Sequence, residues 1–245
     1  MKTIRIKGEM KMKAYRLTTM ILLLMALPTA MNAFGETPGP KRPDVQVMLD
    51  AGREAKISGL AGLPLQEVFQ QLTTAGYQSD QAMMYKAIYR SFHNRKSDAL
   101  ALARNYLSSP LIEMVGGRVI TRVKEFNVAR RIFETFPEES TALLLDLYKQ
   151  GDATAKGNII RAAGGIAGGQ DIRRLLIRAL DDTSFCEEEN PDATGERMRI
   201  CDVAYNQLVL RYSIRNVLRT ISPAHRIKTR DYHIAILRDM LSQGL

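Results

Sequence analysis

Cys186 and Cys201 are the only two cysteines of the chain. In an oxidising compartment their spacing predicts a disulfide pinning the loop between them to the following helix, worth about 3 kcal/mol in the chain-entropy model. The alternative is that Cys201, on an apolar stripe, is a buried thiol. Glu187-Glu188-Glu189 lies between them, with Asp192 and Glu196 behind. These carboxylates can attract a cation or a basic partner. They lack the alternating ligands and glycine turn of an EF-hand, so a solvated acidic loop is expected instead. No third and fourth ligand accompanies the cysteines, so no metal is expected, and no motif calls for a cofactor.

Arg211, Arg215 and Arg219 recur every fourth residue, and one helix carrying them would present a basic stripe. Arg226, Lys228 and Arg230 follow, and no acid intervenes. Such a surface fits an acidic protein, an anionic glycan or lipid headgroups, or else is a solvated face that balances the acidic loop. His93, His225 and His233 sit in no zinc-protease pattern. No serine stands in a nucleophile elbow or a Ser-x-x-Lys pair. Gly164-Gly165-Ile166-Ala167-Gly168-Gly169 ends a helix and lacks the Gly-Lys-Ser/Thr of a phosphate loop.

The elements that would position these residues begin with an export pattern. Residues 1–35 carry six basic side chains against Glu9 alone, followed by an apolar run from Leu17 to Leu27 and small residues around Ala33 and Gly35. That is a signal peptide with cleavage near Ala33/Gly35. The run is about half the ~20 residues of a membrane span, which leaves an uncleaved anchor as the minor alternative. Met10 and Met12 offer alternative starts. Much of the whole-chain charge of +9 sits here, so DNA or RNA binding is not expected. A periplasmic or secreted location is expected.

Pro38, Pro40 and Pro43 make residues 36–60 a tether leading into a short helix. From residue 61 to 245 the apolar residues follow helical spacing. Leu65, Val68, Phe69 and Leu72 form one stripe, and Ile159, Ala162, Ala163 and Ile166 another. Ser79 is the expected N-cap of a helix over Asp80–Phe92, and Ser109-Pro110 opens one running through Ile120 and Val123. Trp is absent and aromatics are 7%, so the core is aliphatic. No stretch alternates with period two, so the expected class is all-α.

Ser140–Leu210 reads as two copies of a helix–turn–helix. Leu144-Leu145 opens one and Leu175-Leu176 the other. Asp152-Ala153-Thr154 and Asp192-Ala193-Thr194 open the second helix of each. The blocks Leu144–Lys149 with Asp152–Ile166, and Leu175–Leu180 with Ile200–Leu208, resemble HEAT-type repeats. A fainter copy starts at Asp98-Ala99-Leu100. The resemblance implies a short right-handed α-solenoid of paired antiparallel helices. It also implies a non-catalytic surface for a protein partner, with membrane-surface contact and oligomeric state left open. An enzyme with scattered active groups and a small-ligand carrier are the alternatives. The second copy holds about nine extra residues between its helices, within Asp182–Asp192. Such insertions map to loops on one face. The binding surface is therefore expected at Glu187–Glu189 and the arginine stripe.

Overall fold

The computed structural model describes residues 45–244 except 117, 168 and 188–195. The signal peptide, its cleavage site and the Pro-rich stretch lie outside the described residues, as do Glu188, Glu189 and Asp192-Ala193-Thr194.

The described chain is mostly helical. In order come α1 (Val45–Ser58), α2 (Leu65–Leu72), α3 (Ala75–Gln78), α4 (Gln81–Phe92) and α5 (Lys96–Arg104). A hairpin follows, β1 (Ile112–Val115) and β2 (Arg118–Thr121). Then come α6 (Val123–Thr135), α7 (Pro137–Gln150), α8 (Ala153–Ala163), α9 (Gln170–Ala179), α10 (Ile200–Arg211) and α11 (Ile227–Ser242). No helix among the described residues is long and apolar enough to cross a membrane.

Local chemistry explains the helix starts. Asp152 Oδ1 accepts from Ala155 N at 2.8 Å, capping α8 as the sequence predicts. At α4 the cap is Asp80, which accepts from Met83 N at 3.0 Å. Ser79 instead ends α3. Asp80 is the better cap because its charge also meets the helix dipole. Pro137 opens α7 with Glu138 and Glu139 in its first turn.

Apolar stripes then pack these helices together. Val68, Phe69 and Leu72 of α2 are fully buried, as are Ile132 and Phe133 of α6, Leu176 of α9 and Leu208 of α10. Each such side chain contributes about 1.5–3 kcal/mol on leaving water. Consecutive helices from α5 to α11 pack on one another, and the alternate helices α4, α6, α8 and α10 also touch in series.

Two expectations fail here. The helix expected from Pro110 through Val123 is a β-hairpin, with Ile112 paired to Thr121 and Val115 to Arg118. Gly116 sits at φ +56°, a left-handed conformation glycine adopts without strain, and the β-branched run Val119-Ile120-Thr121 follows in β2. The helix expected to open at Asp192 begins at Ile200. Residues 196–199 are not helical, and Arg199 bridges Phe185 antiparallel.

Candidate binding surface

A buried ionic clasp organises the C-terminal part. Asp202, in the first turn of α10, is wholly buried. Its carboxylate accepts from Arg199 N at 3.0 Å, Arg199 Nη2 at 2.9 Å and Arg230 Nη1 at 2.9 Å. Arg230, on α11, is also wholly buried. It donates to the carbonyls of His225 (2.7 Å), Arg197 (2.8 Å), Glu196 (2.9 Å) and Pro223 (3.2 Å). A buried charge is tolerated only when paired and saturated with hydrogen bonds, and this guanidinium is. Arg199 Nη2 also reaches Asp231 at 2.7 Å, so two cations meet two carboxylates. Burial would lower the Arg199 pKa, but its hydrogen bonds to Asp202 and Asp231 raise it overall.

The clasp fixes one end of the irregular segment 212–226. Glu196 Oε2 accepts from Ile227 N at 2.7 Å, closing the first turn of α11. Asn206 on α10 exchanges two bonds with Ile221, 2.8 Å to its carbonyl and 2.7 Å from its amide. Tyr205 donates its hydroxyl to Leu218 O at 2.6 Å. Burial pushes that phenol up to about 12. Ile214 and Ile221 anchor the segment in the core. The segment is therefore long and irregular but pinned by side chains of α10.

That segment carries the predicted arginines in a different arrangement. Only Arg211 is helical, as the last residue of α10. Ser213 (φ +48°) and Asn216 (φ +67°) turn the chain away, so Arg211, Arg215 and Arg219 do not form a helical stripe. Arg211 donates to Ala163 O at 3.3 Å, and its guanidinium lies 5.6 Å from the Tyr212 ring. Arg173 of α9 lies at the same distance from that ring. Arg215, Arg219, Arg226 and Lys228 are exposed. No Asp or Glu falls between Asp202 and Asp231 in the sequence, so the segment itself is basic, with Glu196 seated beside it on Ile227 N. Arg230, expected among them, is instead the buried half of the clasp.

The acidic loop is partly tied down. Glu187 Oε1 accepts from Arg161 Nη2 at 2.7 Å, and Arg197 Nε donates to Glu187 O at 2.8 Å. Cys186 and Cys201 are both buried free thiols, which corrects the expected disulfide. The register explains it: Phe185 faces Arg199, so Cys186 faces Met198, three residues short of Cys201. Cys186 Sγ donates to Met198 O at 3.4 Å, and Cys201 Sγ lies 3.9 Å from Asp202 Oδ1. Cys186 also packs so tightly on Gly157 of α8 that a β-carbon there would meet its Sγ at 2.8 Å. Burial pushes the Cys186 thiol up to about 11 and the Cys201 thiol up to about 12.

Sequence reasoning missed a second polar cluster. The Tyr85 hydroxyl of α4 donates to Glu134 of α6. Arg131 Nη1 donates to Glu134 at 2.5 Å and also to Tyr85. Arg130 Nε lies 3.3 Å from the other carboxylate oxygen. The signal available was the pair of glycines at the end of α8. A β-carbon on Gly165 would stand 1.7 Å from Glu134 Oε1, and one on Gly164 would stand 1.9 Å from Gln207 Oε1. The glycines make room for polar side chains from neighbouring helices. Burial, then the Glu134 carboxylate, raises the Tyr85 pKa.

The histidines are engaged locally. His225 Nδ1 accepts from Ser222 N at 3.1 Å and meets its Oγ at 3.0 Å, closing a turn. His93 packs on Tyr89 and His233 on Tyr232. No group of three or more metal-ligating side chains exists among the described residues. A cleft lined by Arg104, Leu107, Leu147 and Ile159 has a volume of about 190 Å³. That is below the ~300–1,000 Å³ of ordinary small-molecule pockets.

No protein-family model, curated protein or solved structure matches this chain.

Proposed function

We propose that this chain is an exported, non-catalytic scaffold, periplasmic or secreted, that holds a protein or envelope component against its surface. HEAT-like pairs of antiparallel helices, set as a short right-handed α-solenoid, supply the rigid body. The serial packing of α4, α6, α8 and α10 supports that arrangement, because equivalent helices of stacked pairs touch in this way. The leader of residues 1–35 supports export.

One observation carries the binding role: Arg215, Arg219 and Arg226 are exposed on a segment that contains no Asp or Glu and is pinned by Tyr205 and Asn206, and Lys228 is exposed just beyond it. Several like charges held on a fixed frame attract an anionic partner and lose little entropy in binding it.

A photo-crosslinking side chain placed at position 219 in the native host tests this. The reading requires a discrete adduct with an acidic protein or an anionic envelope component, recovered from the exported fraction. A chain that is retained in the cytoplasm, or gives no adduct, would overturn it.

A further inference from the structure

Every residue of β2 is exposed, and Val119 is 65% so. Arg122 N donates to Leu111 O at 2.9 Å, which places Arg122 in a pair whose backbone groups face β1. Antiparallel ladders alternate, so Ile120 and Arg118 also face β1, while Val119 and Thr121 turn their N–H and C=O outward. No backbone hydrogen bond among the described residues reaches those outward groups. A lone two-stranded ribbon is marginal in water, and an open edge is a template for another strand.

The sequence of the edge specifies what would fit it. Arg118, Ile120 and Arg122 lie on one face of the strand, and Val119 and Thr121 on the other. Glu113, opposite Ile120 on the same face, pairs with Arg122 at 3.4 Å, and Arg118 leaves the face with a net positive charge. A second copy fits poorly. Antiparallel pairing that matches Val119 with Thr121 of the copy sets Arg118 directly opposite Arg122, and like charges so placed repel. A strand with acids four residues apart and β-branched apolar residues between them fits both faces.

We propose that β2 takes up an extended acidic–apolar segment of a protein partner as a third antiparallel strand. This rests on the scaffold reading and names its partner's chemistry. The partner's carboxylates sit opposite Arg118 and Arg122, its backbone pairs with the outward groups of Val119 and Thr121, and its apolar residues cover Val119.

The test is fluorescence anisotropy of the chain with two labelled peptides, Ser-Gly-Glu-Val-Ile-Val-Glu-Gly-Ser and the same peptide with Lys for Glu. The acidic peptide is expected to bind saturably and at least about tenfold tighter than its counterpart, weakening with salt. Val119→Pro removes an outward N–H and no ladder bond, and is expected to weaken binding about tenfold or more at unchanged helicity. Arg118→Glu is expected to shift the preference toward the Lys peptide, which decides the matter should the proline variant misfold. Equal binding of the two peptides, binding of neither, no shift in Arg118→Glu, or self-association through β2 would overturn the proposal. Adduct formation at position 219 with no peptide binding would remove this inference and leave the scaffold reading standing.

Discussion

Arg230 Nη1 and Asp202 Oδ2 stand 2.9 Å apart, and both side chains are wholly shut off from solvent. The pair joins α11 to the first turn of α10. Through the carbonyls that Arg230 also holds, it gathers residues 196–197 and 223–225 into the same knot. The basic segment between these helices is held in place at that knot.

Asp202→Asn therefore leaves two buried guanidiniums short of a carboxylate, and a loss of about 3–5 kcal/mol is expected. Arg230→Met is expected to cost at least as much, because it also orphans the four carbonyls. Replacing both residues together by apolar ones does not restore stability, for the same reason. Denaturant titrations of the three variants check this. Midpoints within experimental error of wild type would show that the clasp is dispensable.

Gly165→Ala tests the second cluster. The added methyl displaces the Glu134 carboxylate from Arg131 and Tyr85, and about 1–3 kcal/mol is expected. The same substitution in a Glu134→Ala background is expected to cost far less, since the clash and the bonds are gone together. Additive losses in this double-mutant cycle would contradict the contact.

The helix pairs were legible in the sequence because each carries a stripe of aliphatic residues bounded by a cap or a break. Leu144, Leu176 and Leu208 with Asp152 illustrate this. The hairpin was not legible, because a strand with no buried face shows no alternation of polar and apolar residues: Arg118, Val119, Ile120 and Thr121 are all exposed. Its one signal was Gly116-Gly117, with Val115 before it and Val119-Ile120-Thr121 shortly after. The arginine spacing misled because nothing in Tyr212–Asn216 is a glycine or proline, yet Ser213 and Asn216 take left-handed conformations. Arg230 reads as a surface cation until its partner is known. Asp202 lies 28 residues away, a separation that helical spacing does not reveal.

The thiols give a chemical prediction. With both sulfurs buried and their pKa values raised, native protein is expected to resist alkylation at pH 8 and to release two reactive thiols on unfolding. The raised values mean that the folded state keeps protons the unfolded state gives up. This contribution is present in full below about pH 9 and is lost as pH climbs toward 11 and 12. Rapid alkylation of the native chain, or a peptide joining Cys186 to Cys201 in a non-reducing digest, would contradict it.

Double charge reversal, Arg215→Glu with Arg219→Glu, spares Arg211 and its packing against Tyr212. Both positions are exposed, so stability is expected to change by no more than about 0.5 kcal/mol. In-cell crosslinking and affinity capture of this variant beside wild type tests the scaffold reading most directly. A reproducible anionic partner is expected with wild type and is expected to be lost in the variant, at unchanged helicity and exported amount. Undiminished capture of the same partner by the variant would contradict it.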